Sequence, residues 1–520
     1  MRSFFLLHTI FLAAVIQFSP PAGAASPYDG PAASPPTNPI DSIVFGRLAE
    51  LGIPPANLCS DSAFVRRAYL DVIGTLPTAA EARQFILNGN PDKRRALIER
   101  LLQRDEFADY WAMKWCDLLK VKAEFPVNLW PDAAQAYHHW IREEIRSNVP
   151  YDRFARDLLT SSGSNFRVAP VNFFRAVQSK DPAALARAVA LTFMGERAEN
   201  WPAERLAGMA AFYSQVGYKS TQEWKEEIVY WDPAKGDQSR AILPDGKGVQ
   251  LSPERDPRQV FADWLIDPAN PWFKRNIANR VWFWLMGRGI IQEPDDIRPG
   301  NPPSNPELLN FLQDQLVAAH YDLKHLFRLI LNSQAYQLSC IPKSDNPAAA
   351  ANFASYPLRR LDAEVLIDAL DSITGTTESY SSAIPEPFTY VPVEQRSIAL
   401  PDGSITSPFL ETFGRSPRDT GLELERNNHP SATQELNLLN SADVRQKLQQ
   451  GPGIQTILRS GGGANPVIDQ LYLAILSRFP TAQERSEAAA YARSANLRPR
   501  EAAIDIAWAL INSAEFLYRH

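Results

Sequence analysis

The stretch TQEWKEEIVYWDP (221–233) sets Glu223, Glu226, Glu227 and Asp232 beside Trp224 and Trp231. Glycoside hydrolysis needs two carboxylates facing each other across a sugar, and aromatic rings often floor such sites. In a strand Glu226 and Glu227 point to opposite faces, so they cannot be that pair with each other. The plain expectation is an edge strand with a charged outer face. A second cluster, EPDDIRPGNPPSNPE (293–307), carries Asp295 and Asp296 in a proline-rich loop. Hard cations take oxygens from such loops, but the Asp-x-Asp-x-Asp-Gly spacing is absent. Asp296 with Arg298 is expected as a structural ion pair. The densest cluster is FGRSPRDTGLELERNNHPSATQ (413–434), with Arg415, Arg418, Asp419, Glu423, Glu425, Arg426 and His429 close together. The guanidinium fork of Arg418 or Arg426 suits a carboxylate or phosphate ligand. Against that stands a loop stapled by internal ion pairs and closed by a capping box of Ser431 and Gln434. The candidate ligand-binding set is therefore Glu223, Glu227, Trp231, Asp295, Asp296, Arg298, Arg415, Arg418, Asp419, Glu425 and Arg426. No residue is assigned a catalytic, cofactor-binding or metal-binding role.

Other chemistries find less support. No two histidines stand four apart, as a zinc site on one helix face requires. Cys59, Cys116 and Cys340 are isolated, with no C-x-x-C pair for zinc or covalent haem. SGGGAN (460–465) lacks the Lys-Ser/Thr of a phosphate loop and reads as a hinge. There is no G-x-S-x-G elbow, although a Ser-His-Asp set assembled from distant positions stays open. Trp111 with Trp115, and Trp282 with Trp284, have core spacing; sugar stacking is their functional alternative.

These residues need elements to position them. Residues 1–24 combine Arg2, an apolar run and Ala22-Gly23-Ala24, the pattern of a cleavable export signal. The alternative is an uncleaved anchor. No later segment has the roughly 20 apolar residues of a membrane span. A net charge of −6, evenly mixed, argues against a nucleic-acid partner. Residues 25–39 are a Pro/Ala/Ser-rich, flexible leader. Apolar residues at helical spacing predict an N-terminal helical domain over 40–217. A small β-like connector at 218–255 contains EEIVYWDP and GKGVQLSP as strands. A C-terminal helical domain follows over 256–520, with a long polar loop region at 376–430. The fold class is mainly α. Three helical hairpin units look repeated, each opening on Pro, Ser/Thr and a Glu three residues later: Pro77-Thr78 with Glu81, Pro303-Ser304 with Glu307, and Pro480-Thr481 with Glu484. That is a capping-box grammar. Phe107, Tyr336 and Phe516 close the three units.

FVRRAYLDVIGTLPTAAEARQF, DPRQVFADWLIDPANPWFKRNIANRVWFWLMGRGII, NPPSNPELLNFL, YPLRRLDAEVLIDAL and FLETFGRSPRDTG together resemble a secreted planctomycete and verrucomicrobial family. It pairs two domains of unknown function and is often associated with cytochrome c-like domains. Many relatives carry Cys-x-x-Cys-His between a helix ending in a FLG-like turn and an AAFF-like helix. Here the same joint reads GERAENWPAERLAG (195–208), without cysteine or histidine. The chain thus resembles a haem-free branch, and no cofactor is expected. The resulting expectation is an exported, periplasmic or envelope protein that is not an enzyme and that binds an envelope protein or polysaccharide. Glycan binding or cleavage is the alternative. An electron-transfer role is the third reading, and it requires a haem absorption band in purified protein.

Overall fold

The computed structural model describes residues 26–520, apart from 37, 236–239, 385, 460–463 and 495–496. The segment expected to be an export signal and most of SGGGAN lie outside the described residues. The fold is mainly α, 54 % helix and 5 % strand.

At its centre runs the helix Asp61–Ile73, started by the Ser60 side chain on the Ala63 N–H and ended by Gly74 in the left-handed conformation. Every residue from Ala63 to Ile73 is buried, including Arg66, Arg67 and Asp71. A buried guanidinium is costly unless hydrogen-bonded, and both arginines are. Arg66 donates to the carbonyls of Ile475 (2.9 Å) and Phe516 (2.8 Å). Arg67 donates to those of Tyr336 (2.6 Å), Leu338 (2.8 Å) and His520 (3.0 Å). Two adjacent arginines just before the first repeated unit therefore reach the residues that close the other two, Tyr336 and Phe516. Phe107, Tyr336 and Phe516 are all buried.

Two of the three repeat caps form as predicted. Thr78 and Glu81 make a reciprocal capping box, and Thr481 and Glu484 exchange the same two bonds, at 2.7 and 3.2 Å. The middle one does not form. Asn305 caps the helix Pro306–Ala318 by accepting from Leu308 N–H, and the Ser304 hydroxyl is buried without a partner. Proline at 306 shifts the helix start by one residue, because its fixed φ suits the first helical position. Ser431 with Gln434 does form a box.

The β-like connector holds most of the strand. β1 (Gly163–Ser164), β2 (Val216–Ser220) and β3 (Glu227–Trp231) form an antiparallel sheet in the order β1-β3-β2. Strand β3 is therefore central, not the expected edge; Gly163-Ser164, within the predicted helical domain, supplies its second neighbour. β4 (Arg240–Ile242) and β5 (Gly248–Gln250) make a hairpin, so part of the expected turn region is a strand. β6 (Arg359–Arg360) pairs with β7 (Tyr518–Arg519). Residues 26–31 of the expected leader have fixed partners: Gly30 N–H donates to Leu58 (2.7 Å), and the Tyr28 ring meets His520 edge-on at 5.0 Å.

A single apolar cluster runs from Ile40 to Leu517 through both halves of the chain. Trp111, Trp115, Trp282 and Trp284 belong to it, none more than 6 % exposed. Their role is core packing. Trp111 and Trp115 both contact Trp284, with ring centroids 5.1 and 5.9 Å away.

Candidate functional site

In the polar cluster predicted at 413–434, Arg415, Arg418 and Arg426 point inward. Arg418 Nε lies 3.0 Å from Asp117 Oδ1, and Arg426 Nη2 lies 2.8 Å from Asp117 Oδ2. Arg426 Nη1 reaches Glu364 Oε2 at 2.6 Å, and Arg415 Nε approaches Glu364 Oε1 at 3.3 Å. Asp117 is in the last turn of the helix Asp105–Leu118, and Glu364 is in the first turn of the helix Ala363–Thr374. The expected staples are thus not internal to the loop; they join it to two distant helices. Burial alone raises the Glu364 carboxyl, but Arg426 and Arg415 outweigh it and hold it at about 2. Glu425 accepts from the backbone N–H of Asp419 (2.9 Å) and Thr420 (3.1 Å), and Asp419 pairs with Lys122 at 2.7 Å.

The loop also meets the second sequence cluster. Glu423 N–H donates to Asp295 Oδ2 at 2.7 Å, and Arg280 bridges Asp295 (2.6 Å) and Glu423 (3.0 Å). Asp295 is 1 % exposed. Asp296 and Arg298 form the expected ion pair, 2.8 Å apart, with the arginine exposed. Deeper in, Asp362 accepts from Arg519 (2.8 Å), Tyr110 (3.1 Å) and Asn428 (2.7 Å) and pairs with Lys114 at 3.1 Å. Burial lowers the Lys114 ammonium against the pull of Asp362.

The first sequence cluster stands apart, sharing none of these partners. Glu227 is held by Arg175 (3.0 Å) and Lys180 (2.8 Å), Glu223 pairs at the surface with Arg167 at 3.3 Å, and Trp231 Nε1 donates to Gln215 at 2.7 Å. The two carboxylate segments of the glycan-cleaving alternative thus hold separate sets of cations. Among the described residues no group of three or more His, Cys, Asp or Glu is arranged to hold a metal.

Trp224, named in the sequence beside these carboxylates but left out of the candidate set, is the prominent ring on this side. It is 52 % exposed and lies between Trp130, met edge-on (centroids 4.8 Å), and Phe388, tilted against it (4.7 Å). Lys225 Nζ lies 4.2 Å from the Trp130 ring centre, a cation–π contact. Three loops remote in sequence build this surface. Asn128 (φ 61), Trp130 (φ 73) and Lys225 (φ 63) all hold left-handed backbone. For a bulky residue such as tryptophan that conformation is strained, and strain of this kind concentrates at functional sites. Asp117, Glu364 and Arg280 were missed by sequence reasoning. Their one sequence signal is a charge inside an otherwise apolar helical run, as in YPLRRLDAEVL.

The joint at 195–208 is knitted around Glu196. Its carboxylate accepts from Trp201 Nε1 (2.7 Å) and Trp272 Nε1 and pairs with Arg205 at 3.0 Å. Trp201 precedes the helix Ala203–Ala210, whose cap is Pro202.

Residues 39–203 match the PSCyt2 domain, described as a protein of unknown function (DUF1549), and residues 257–492 match PSD1, likewise of unknown function (DUF1553). The chain belongs to the family that pairs these two domains. No curated protein and no solved structure matches it. In this PSCyt2/PSD1 chain the buried ion pairs cross from one matched region to the other, Asp117 in the first and Arg418 and Arg426 in the second. Trp224 lies between the two matched regions, while Trp130 and Phe388 fall one in each.

Proposed function

We propose that the protein is an exported, non-catalytic binding or assembly protein of the bacterial envelope. It is a rigid frame that presents the Trp130–Trp224–Phe388 cluster to an envelope polysaccharide or protein. The observation carrying this reading is the exposure of Trp224 on a backbone held by contacts from three segments. Aromatic side chains lose little conformational entropy on binding and dominate interface energetics. A consistent feature is that Glu223, Glu227, Asp295 and Asp296 each already hold a cationic partner. A general acid or nucleophile must be within reach of a substrate atom.

Export, the envelope location and the partner all belong to this proposal. Glycan binding is its more specific form, favoured because aromatic surfaces stack on sugar rings. Co-sedimentation of the purified protein with isolated envelope polysaccharide, and separately with envelope protein, tests it. Retention by one of the two, lost in Trp224→Ala, is the expected result. Absence of retention by both would overturn the reading. So would turnover in a panel of hydrolase substrates that disappears in Glu227→Ala or Asp296→Ala.

A further inference from the structure

Where the polar loop passes the end of the helix Asp105–Leu118, a small pocket opens that no sequence cluster foretold. Its walls include Leu118, Phe173 and Leu191, and three polar side chains join them: Lys120, Thr192 and Thr420. The free space, open solvent at the mouth included, is about 280 Å³. Leu191 and Thr192 belong to the π-helical turn Ala190–Met194, a rare geometry found often at functional sites.

Lys120 differs from the other charged groups around it. Its backbone is left-handed, φ 55. The neighbouring Lys122 is paired with Asp419, whereas no ion pair or hydrogen bond of the Lys120 ammonium is found among the described residues. The acid acting on it, Glu425, is already engaged by the backbone N–H groups of Asp419 and Thr420. Burial lowers the amine to about 8 against the pull of Glu425. A partly buried ammonium without a protein acceptor, beside apolar walls, gains from an incoming anion.

From this geometry we propose that the pocket binds a small monocarboxylate with a short apolar body, its carboxylate on the Lys120 ammonium and its tail against Phe173 and Leu191. A single cation without a guanidinium fork matches one negative charge better than a phosphate dianion. The Thr420 hydroxyl accepts from Leu422 N–H (3.2 Å), which leaves its own proton free to donate. Such a carboxylate belongs either to a free short-chain acid or to the C-terminus of a peptide. The proposal is independent of the aromatic cluster and of any envelope partner.

The test is amine-directed acylation of the whole protein at pH 7.5, read residue by residue by peptide mass. It is run alone, with butyrate, with neutral butyramide, and with an N-acetylated dipeptide bearing a free C-terminus. Lys120 is expected to be acylated and to be protected at least about tenfold by butyrate but not by butyramide. Protection by the dipeptide alone assigns the carboxylate to a peptide end. Lys120→Met is expected to lose butyrate binding in calorimetry at least about tenfold, with its melting temperature retained. Equal protection by butyramide, or no protection by either carboxylate, overturns the proposal. So does unchanged butyrate affinity in Lys120→Met. If that variant fails to fold, the butyrate-against-butyramide comparison on the native protein decides.

Discussion

The polar loop at 413–429 and the sheet end at 221–227 use the same side chains, arginine and lysine against carboxylates with tryptophan alongside, for opposite purposes. In the loop Arg418 is 1 % exposed and its partner Asp117 is 7 % exposed; the pair closes the contact between two halves of the chain. At the sheet end Arg167 and Glu223 pair in open solvent, and their neighbour Trp224 is the large apolar side chain left uncovered. Density of charge in a sequence therefore says little about a ligand. What separates the two regions is whether the backbone around the charges can be buried. Asp117 and Glu364, at opposite ends of two core helices, draw the loop inward. The sheet end is held at its base by Arg175 and Lys180 on Glu227, while its tip at Glu223 and Trp224 stays in solvent.

The comparison breaks most severely at the buried pairs. Asp117→Ala leaves Arg418 and Arg426 without their shared acceptor, and removing one partner of a buried pair costs about 3–5 kcal/mol. Denaturant unfolding should show a loss of that size or failure to fold. Asp117→Asn, which keeps one acceptor oxygen, should lose less. A stability of Asp117→Ala equal to wild type would mean that the loop is not held as described.

Acid titration sharpens the same contrast. The Glu364 carboxyl is depressed to about 2 in the folded protein, so its contribution is present above the unfolded value of about 4.3 and is lost as pH falls toward 2. Burial first, then Arg418 and Arg142, lower His138 to about 3, keeping it neutral. The unfolded chain takes up that proton first, so stability also falls between about 6.5 and 3. Burial lowers His520 to about 3 as well. Melting temperature should therefore decline in two stages on acidification, the upper one reduced in His138→Phe and abolished only when His520→Phe is added, the lower one altered in Glu364→Gln. A single acid transition unchanged by these variants would refute this.

At the exposed region the effects are on binding, not on folding. Trp224→Ala should weaken envelope retention by about 1–2 kcal/mol, roughly tenfold, while stability changes by no more than about 0.5 kcal/mol. A large fall in melting temperature would show that the ring is structural. Smallest of all, Arg298→Ala removes an exposed pair of a kind worth about 0–1 kcal/mol. Its unfolding midpoint should shift within that range, and less in high salt.

Much of the frame was legible from local pattern. Thr78 with Glu81 and Ser431 with Gln434 are short-range hydrogen-bond units, complete within four residues, and the core spacing of Trp111 and Trp115 needs only the helical period. Where a single residue tipped the local choice, the pattern failed: Pro306 moved the cap from Ser304 to Asn305. The candidate site was harder. Asp295, Arg415, Arg418 and Arg426 were identifiable as concentrated charge, but their partners Arg280, Asp117 and Glu364 lie tens to hundreds of positions away. Trp224 was legible as an aromatic beside carboxylates, but its neighbours Trp130 and Phe388 come from segments about 90 and 160 positions away.

The sequence by itself determined the helical character, the helix-start grammar and the pairing of two domains, because each rests on spacing or on motifs within a short stretch of chain. Only the tertiary structure decided which charges are buried and which rings face solvent. Burial is a property of packing between remote segments: the same arginine is a ligand fork in water and a structural rivet once Asp117 and Glu364 close around it.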